Sequence, residues 1–360
     1  MSKPLYTIAV TGLNAIDSPG PGISVIRALR ESTYFDVRIV GLAYEALDPG
    51  IYMNEWVDVV YQIPYPSNGH QVLLDRLSVI HEQEQMDLII PTLDAEIIGF
   101  IKLKSFLSEM GIKTFLPTIA QFEERFKHHL NQFGETHGIL VPRSETVYSV
   151  PEFVKNLRTF EYPVVVKGKY YEAYTAHSEA EAIQYYYKLA AKWGTPVVIQ
   201  AHITGQELNV TALGDGKGAL IGAVAMRKTY ITQAGKAWAG ISIRDKTLLQ
   251  MAERVMHKTK WAGGMELELI KEEKTGEVYL IEVNPRFPAW VYLSAACGQN
   301  HPEALVRLAF GEDVTPMTGY EVGKMFIRYA FDMICELRDF AAFSTQGTLE
   351  HRPKLQAFYW

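Results

Sequence analysis

The segment Gly264–Arg286, GMELELIKEEKTGEVYLIEVNPR, restricts the possible folds of this chain more than any other stretch. Two runs of alternating apolar and polar residues flank a polar turn that contains a glycine, a pattern typical of paired antiparallel strands. A turn at Lys274–Gly276 sets the register of this predicted hairpin. The pairs expected on its apolar face and beside the turn are Leu267 with Val283, Leu269 with Ile281 and Glu273 with Glu277.

The polar face of the predicted hairpin brings acidic residues together. Glu268 faces Glu282, and Glu266 faces Asn284. Directly opposed like charges destabilise a strand pair, so this register predicts a cation between them. The hairpin contains no Cys or His, and its hard oxygen ligands favour Mg2+ or Mn2+ over zinc. The alternative is a solvated outer face on which the carboxylates splay apart.

Size, composition and charge exclude several classes of protein. The 360 residues are enough for two or three domains, and 48% hydrophobic with 21% charged residues is typical of a globular protein. The net charge of −6 gives no electrostatic argument for nucleic acid as the main partner. No apolar run reaches the roughly 20 residues that cross a bilayer, and the N-terminal apolar core is too short for a signal peptide. The two cysteines, Cys297 and Cys335, predict neither a metal cluster nor a disulfide framework, so we expect a cytoplasmic protein.

Strand and helix patterns alternate through residues 1–115. The predicted strands are Tyr6–Gly12, Val37–Tyr44, Met86–Leu93 and a short one within Asp58–Pro66; the predicted helices are Gly22–Ser32 and His70–Gln85. Continuous apolar strands in such an alternation predict a parallel, doubly wound sheet. The loop Gly12–Gly22 stands where a Rossmann-like domain binds its ligand, but it lacks the G-x-G-x-x-G spacing. We expect a flexible turn there, and a dehydrogenase is the least favoured function.

The middle of the chain predicts a mixture of helices and mostly antiparallel strands. A helical stretch covers Thr118–Gly138, and the tail from about Cys297 is expected to be helical and then irregular. The other predicted helices are Ser149–Phe160, Ser178–Gly194 and Ile243–Trp261; the predicted strands are Tyr162–Gly168, Pro196–Ile203 and a glycine-rich meander over Thr204–Lys228.

Three motifs occur in a distinctive order: VVVK, then VVIQAHITGQE, then ELELI followed by GEVYLIEVNPR. In this order and spacing the chain resembles the ATP-grasp superfamily over roughly residues 5 to 310. The resemblance is strongest to the branch of the carbamoyl-phosphate-synthetase large subunit and biotin carboxylase. It implies a fold of α/β and α+β class, in which an N-terminal doubly wound, Rossmann-like pre-ATP-grasp domain precedes the ATP-grasp fold.

The resemblance also implies a division of the chain. We expect a pre-ATP-grasp domain at residues 1–115 and an N-lobe at 116–200, with its small subdomain at about 140–200. The C-lobe at 201–312 contains the metal-binding hairpin, and a C-terminal extension follows at 313–360. This extension has no family counterpart; we expect a packed terminal element or a subunit contact, with a peptide-docking surface as the alternative.

Residues that match the family's motifs take expected roles in binding ATP and Mg2+ (or Mn2+). Glu268, Glu282 and Asn284 match the metal ligands, and Glu266 is a neighbour expected to support them. The residues expected to contact the nucleotide are Lys127 and Lys167 at the phosphates, Gln200, Ala201, His202 and Ile203 around the adenine, and Glu207 at the ribose. A solvated helix face remains the alternative for Lys127, as does packing for His202.

Three residues are expected to take part in the chemistry. Arg286 matches an arginine that contacts the substrate or the forming acyl phosphate, and Lys167 is expected to neutralise phosphate charge. Arg227, with Lys228, is expected to add positive charge over the γ-phosphate, the alternative being a solvated strand end. The segment Gly168–Ser178 departs from the family pattern because it has one glycine where many relatives have a glycine-rich loop over the phosphates, so Lys169 or a hydroxyl group is expected to substitute.

The resemblance implies an ATP-dependent ligase that activates a carboxylate as an acyl phosphate for attack by an amine. The expected partners are a small-molecule or peptide carboxylate and an amine co-substrate, without nucleic acid or membrane, in a chain that can form a homodimer. The alternatives are a bicarbonate-activating, carboxylase-like enzyme and a nucleotide-binding module without turnover.

Overall fold

The computed structural model describes residues 3–169, 172–233, 235–330 and 332–351. They form three sheets of five, six and four strands. Tyr170 and Tyr171 of the glycine-poor segment and the aromatic end of the tail, residues 352–360, lie outside the described residues. Across the described ranges, no helix combines the length and the apolar character that crossing a bilayer requires.

The first part of the chain forms a parallel sheet with helices on both faces, as predicted. Its elements are β1 (Leu5–Val10), α1 (Pro21–Arg30), β2 (Asp36–Ala43), β3 (Val59–Gln62), α2 (His70–Glu84), β4 (Leu88–Ile90) and α3 (Asp94–Glu109). Neighbouring strands in the order β3-β2-β1-β4 all pair in parallel. Successive strand residues point to opposite faces, so Ile8 and Val10 pack with α1 while Ala9 packs with α2 and α3.

The predicted helical stretch over Thr118–Gly138 is divided into separate pieces in the structure. The structure has α4 (Ile119–Glu124), a 3-10 turn at Lys127–His129 and α5 (Leu130–His137). Phe126 has an extended backbone, with φ −56° and ψ 145°, and its ring packs against the core of the first sheet. This contact takes the backbone out of the helical path just before Lys127, which determines where the lysine side chain reaches.

A small four-stranded antiparallel sheet follows. Its elements are β5 (Ser144–Val147), α6 (Val150–Leu157), β6 (Val164–Lys167), β7 (Ala173–Ala176), α7 (Glu179–Trp193) and β8 (Val197–Ala201). The strand order is β5-β8-β6-β7, and the apolar faces of α6 and α7 pack on it around Phe153, Leu157 and Leu189. Lys167 therefore stands at the very end of a buried strand.

The large antiparallel sheet carries the hairpin. Its elements are β9 (Gly205–Asp215), β10 (Leu220–Ile231), β11 (Ala237–Ile243), α8 (Lys246–Thr259), β12 (Ala262–Glu272), β13 (Val278–Asn284), α9 (Tyr292–Ala296), α10 (His301–Ala309) and β14 (Met325–Ile327). The strand order is β13-β12-β9-β10-β11-β14. One face packs on α8 around Leu248, Val255 and Met256. The opposite face is partly covered, since Met226 packs with Trp290 and Leu293, and Leu213 packs with Leu305 of α10.

The hairpin register agrees with the prediction in one half and differs in the other. Glu266 pairs with Asn284, Leu267 with Val283, and Glu268 with Glu282. Leu269, however, pairs with Leu280 instead of Ile281, because Ile281 forms a bulge with no partner across the strand. The shift carries through to the turn, where the N–H of Glu272 instead of Glu273 bonds the carbonyl of Glu277.

The tail is more regular than predicted and returns to the first sheet. It contains α11 (Leu337–Gln346) and β15 (Thr348–Glu350). β15 pairs antiparallel with β3, and Phe343 is fully buried in the core that also holds Ile8 and α1. The expected irregular chain is present after α10 over the described residues of 310–336 apart from β14, whereas α11 and β15 were not predicted.

Candidate active site

The cleft face of the hairpin holds the acidic residues in the predicted opposition. Glu268 and Glu282 are direct cross-strand partners, as are Glu266 and Asn284. Asn284 donates its Nδ2 to Oε2 of Glu266 and to Oε1 of Glu268, both at 3.1 Å. Because both amide hydrogens are used in this way, the carbonyl oxygen of Asn284 is the atom left to meet a cation.

Glu266 supports this arrangement through the hydrogen bonds that its carboxylate accepts. Its carboxylate is buried and accepts hydrogen bonds from four different side chains. The donors are Asn209 Nδ2 at 2.9 Å, Trp290 Nε1 at 2.8 Å, Arg286 Nη1 at 3.0 Å and Asn284 Nδ2 at 3.1 Å. A carboxylate with this many protein donors orients its neighbours, which agrees with the supporting position expected from the sequence.

The donor set left at the surface of the hairpin suits a divalent cation with oxygen ligands. Two carboxylates and one amide oxygen are hard ligands of the kind that Mg2+ takes, usually with water and substrate phosphates completing its shell. Among the residues that the structure describes, no group of three His, Cys, Asp or Glu side chains could form a metal cage alone. Glu268, Glu282 and Asn284 therefore fit a cation that shares its ligands with a bound substrate.

Three lysines from separate segments converge on these carboxylates. Nζ of Lys127, on the 3-10 turn, lies 3.2 Å from Oε2 of Glu282. Nζ of Lys167 lies 3.5 Å from the carbonyl oxygen of the bulged Ile281. Lys228 on β10 forms an ion pair with Glu207 at 3.4 Å. The broken helix and the hairpin bulge, both missed in the sequence, are what bring Lys127 and Lys167 to this place.

Burial and neighbouring charges act on these lysines in opposite directions. Burial lowers the pKa of Lys167 to about 8, because the effects of Glu282 and Glu268, which raise it, only partly compensate and Lys127 lowers it further. For Lys228 burial also opposes the charge, but Glu268, Glu207 and Glu266 outweigh it and raise the pKa. Lys167 therefore loses its proton at a lower pH than Lys228 does.

Arg227 lies on the wrong face for its predicted role. It pairs across the sheet with Leu208, whose side chain belongs to the apolar core against α8. Adjacent strand residues point to opposite faces, so Lys228 faces the carboxylates and Arg227 is turned away and exposed. The prediction that Arg227 adds charge over a γ-phosphate is corrected in favour of Lys228.

The residues expected around an adenine follow one another at the end of β8. Gln200 is buried, opposite Ser144 of β5 and Val165 of β6. The N–H of Ala201 bonds the carbonyl of Arg143 at 2.8 Å, so this N–H group is not available to a base. The residues beyond the strand are more open: Ile203 is half-buried, His202 is exposed, and Glu207 is exposed beside Lys228.

Arg286 joins the hairpin to the first sheet. Its guanidinium contacts Asp94 at the start of α3 as well as Glu266. Burial would lower the pKa of Arg286, but Asp94, Glu266 and Glu268 outweigh it and raise the pKa. Asp94 was missed in the sequence analysis, since nothing local distinguishes this acid from others that begin a helix.

Arg328 is a second residue that the sequence analysis missed. It follows β14, and its Nη1 is buried without a hydrogen-bond partner among the described residues. Burial lowers its pKa, although Glu266 and Asp17 act in the opposite direction. No sequence motif pointed to it.

Comparisons with known proteins show which sequences this chain resembles. Residues 194–326 match a family model described as an ATP-grasp in the biosynthetic pathway with Ter operon. The carbamoyl phosphate synthase large chain of Clostridium beijerinckii is 28% identical over 243 residues, which cover 62% of this chain and 22% of that protein. That of Clostridium perfringens is 25% identical over 240 residues. The chain therefore spans about a fifth of the length of these curated relatives.

Solved structures match the fold at low sequence identity. Biotin carboxylase from Campylobacter jejuni has a TM-score of 0.69 at 15% identity, over 89% of this chain and 74% of that one. N5-carboxyaminoimidazole synthetase from Staphylococcus aureus has 0.65 at 14%, over 90% and 83%. The L-amino acid ligase from Bacillus licheniformis has 0.63 at 14%, over 86% and 75%. The chain has the ATP-grasp fold and contains an ATP-grasp domain, as expected from its motifs.

Proposed function

We propose that this protein is an ATP-dependent ligase that activates a substrate carboxylate as an acyl phosphate and joins it to an amine. One observation carries the proposal: Glu268 and Glu282 face each other beside Asn284, and Lys127, Lys167 and Lys228 approach this group from three separate segments. Two opposed carboxylates with three lysine side chains around them are suited to bind a triphosphate and its divalent cation.

The residues of the chain take the following parts in this proposal. Mg2+ or Mn2+, when bound, would neutralise phosphate charge. Glu268, Glu282 and the carbonyl oxygen of Asn284 would hold the ion. Lys127 and Lys167 exchange their present partners, Glu282 and the carbonyl of Ile281, for phosphate oxygens.

The nucleoside would lie against the end of β8. Gln200, Ala201, His202 and Ile203 form the adenine end of the pocket, and Glu207 accepts the ribose hydroxyls. Because the N–H of Ala201 is already bonded to Arg143, the backbone of Ile203 is the better candidate for the polar edge of the base.

The reaction would proceed in two displacements. An oxygen of the substrate carboxylate attacks the γ-phosphorus, the bond from that phosphorus to the bridging oxygen breaks, and ADP leaves with the electron pair. The amine then attacks the carbonyl carbon of the acyl phosphate, the carbon–oxygen bond to phosphate breaks, and the new amide loses a proton. Arg286 steadies the negative charge that develops on the acyl phosphate, and no nucleophile of the protein is needed.

The comparisons support parts of this proposal. A Hydrogenobacter thermophilus biotin carboxylase domain dimer holds MgADP and bicarbonate and has the same fold, with a TM-score of 0.66 at 17% identity. The Bacillus licheniformis relative is an L-amino acid ligase. We extend from these relatives an ATP and Mg2+ requirement, carboxylate and amine substrates of small-molecule or peptide size, a homodimer and a cytoplasmic location.

A bicarbonate-activating, carboxylase-like activity is the second candidate. It is favoured by the match to biotin carboxylases, one of which holds bicarbonate. The two functions separate in one assay, since bicarbonate-dependent ADP formation without any amine supports the carboxylase. ADP formation that requires an amino-acid mixture supports the ligase.

The test is ADP release from MgATP in the presence of the twenty proteinogenic L-amino acids or of bicarbonate. Glu282→Gln should lower the rate by more than about 100-fold, because the opposed carboxylate pair loses one charge at the cation. Glu273→Gln, an exposed residue in the turn of the same hairpin, is the matched control and should keep the wild-type rate. Wild-type turnover by Glu282→Gln would refute the metal assignment, and ATP binding without ADP release under either condition would refute catalysis and support a nucleotide-binding module.

A further inference from the structure

An ion pair links the first sheet to the hairpin directly at the proposed site. Nε and Nη2 of Arg286 both lie 3.1 Å from Oδ2 of Asp94. Nη1 of the same guanidinium lies 3.0 Å from Oε2 of Glu266. The two acids therefore hold the planar group from two sides, one acid from each domain that borders the cleft.

Asp94 is held in place by its own surroundings. It is the first residue of α3 and follows β4, the edge strand that pairs in parallel with β1. Two residues further on, the buried Glu96 accepts the N–H groups of Thr92 at 2.8 Å and Leu93 at 2.9 Å. It also accepts the hydroxyl groups of Thr11 and Tyr44. The turn that presents Asp94 is thus fixed by a carboxylate with four donors.

The geometry limits what the guanidinium can still bind. Arginine has five N–H donors in a rigid plane. Among the described residues, Asp94 and Glu266 take three of them, on Nε, Nη2 and Nη1. One N–H group remains on each terminal nitrogen, and such a pair can grip an oxyanion in a bidentate contact.

The side chains of the ion pair are not fully buried. The side chains of Arg286 and Asp94 keep 16% and 24% of their exposure, whereas that of Glu266 keeps 8%. No hydrogen bond to a described residue uses the two remaining N–H groups of the guanidinium, so they are available to a ligand. A rotated guanidinium, in contrast, would aim those two donors elsewhere.

We propose that Asp94 is a positioning residue of the ligase site, which orients Arg286 so that its two remaining N–H groups meet the substrate carboxylate and the acyl phosphate. This inference rests on the proposed function. It makes the first domain part of the reaction machinery, through an acid that never contacts the substrate.

The first test compares Asp94→Asn with Asp87→Asn. Asp87 is the matched control, since it lies in the same domain and its Oδ2 accepts the backbone N–H of Thr7 at 2.7 Å. With MgATP and the amino-acid mixture, Asp94→Asn should lower kcat about 10- to 100-fold, the usual effect of a misplaced group, while KM for ATP changes less than about twofold. Asp87→Asn should lower thermal stability without lowering kcat, and Asp94→Glu should restore part of the rate.

A double-mutant cycle shows whether Asp94 acts through Arg286. In the Arg286→Lys background, which lacks the planar fork, adding Asp94→Asn should lower kcat by less than about twofold. Arg286→Lys assigns the Nε–H resonance of Arg286, because that resonance disappears from the NMR spectrum of the variant. Its chemical shift should change in Asp94→Asn and remain the same in Asp87→Asn.

The outcomes separate this inference from the function on which it rests. An active wild-type protein in which Asp94→Asn matches Asp87→Asn in kcat would overturn the inference alone. The inference alone would also be overturned if the fold-decreases in kcat caused by Asp94→Asn and by Arg286→Lys multiplied in the double variant. A wild-type protein that forms no ADP with amino acids or bicarbonate would overturn the proposed function and this inference with it.

Discussion

The charge of Lys167 makes nucleotide affinity a function of pH. Burial lowers the pKa of this ammonium group from 10.5 to about 8, against the attraction of Glu282 and Glu268 and with further lowering by Lys127. The nucleotide-free protein therefore loses this charge as pH rises through about 8. A phosphate ligand favours the protonated form, so binding above that pH must first restore the proton.

The size of the effect follows from the pKa. At pH 7 about one-tenth of the free protein has a neutral Lys167, and at pH 9 about nine-tenths does, so the Kd for ADP should rise about tenfold between these values. Nucleotide affinity falls as pH rises, whereas the stability of the free protein should increase. The folded protein releases this proton at a lower pH than the unfolded chain does, so the free energy of unfolding rises between about pH 8 and 10.5.

Isothermal titration with ADP at a fixed Mg2+ concentration measures this Kd at pH 7, 8 and 9. Lys167→Arg is the control, because a guanidinium stays charged over the whole range and should give a nearly flat profile. A flat profile for the wild-type protein would show that Lys167 does not reach the phosphates. An equal slope in Lys167→Arg would show that another group titrates.

Two further predictions concern stability. Glu266→Gln should lower the free energy of unfolding by about 3 kcal/mol, because four donors lose a buried charged acceptor, and an unchanged thermal midpoint would contradict the support that Glu266 gives. His301 is fully buried, its Nε2 donates to Oε1 of Gln299, and burial lowers its pKa to about 3. Because the unfolded chain takes up this proton near pH 6.5 and the folded protein does not, stability should fall by on the order of 3 kcal/mol from pH 7 to pH 4 in denaturant titrations. His301→Gln should lose that part of the slope, and an equally steep loss in the variant would assign the acid sensitivity to other groups.

The opposed acids could be predicted from the sequence because they follow from local rules. A strand alternates its faces every residue, so placing the turn sets which side chains meet across the hairpin. The charge of Glu268 opposite Glu282 then pointed to a cation. Lys167 could be found for a similar reason, since an apolar strand that ends in lysine presents one charge at a defined edge.

The features that were missed depend on contacts far along the chain. The bulge at Ile281 meets Lys167, more than a hundred residues earlier, and the break at Phe126 follows from packing on the first sheet. No window of sequence around either residue contains its partner. The link between Asp94 and Arg286 is of the same kind, as it joins the start of α3 to a residue almost two hundred positions later.

Arg227 illustrates a different limit. The residues before it, from Ala223 to Met226, are buried on both faces of β10, so polar and apolar residues do not alternate there. Without alternation the sequence does not tell which of two adjacent basic residues faces the cleft. Only the cross-strand partners resolve the choice in favour of Lys228.

The return of the tail to the first sheet has a consequence for the order of events during synthesis. β3 gains its antiparallel neighbour β15 and the first core gains Phe343 only when residues 337–350 have left the ribosome. Until then the amino-terminal domain has an open sheet edge and an unfilled apolar site, which are features that invite association with other chains. The last described helix thus completes a core many of whose other members are synthesised about 300 residues before it, and nascent chains that stall before this helix should be the ones that depend most on chaperones.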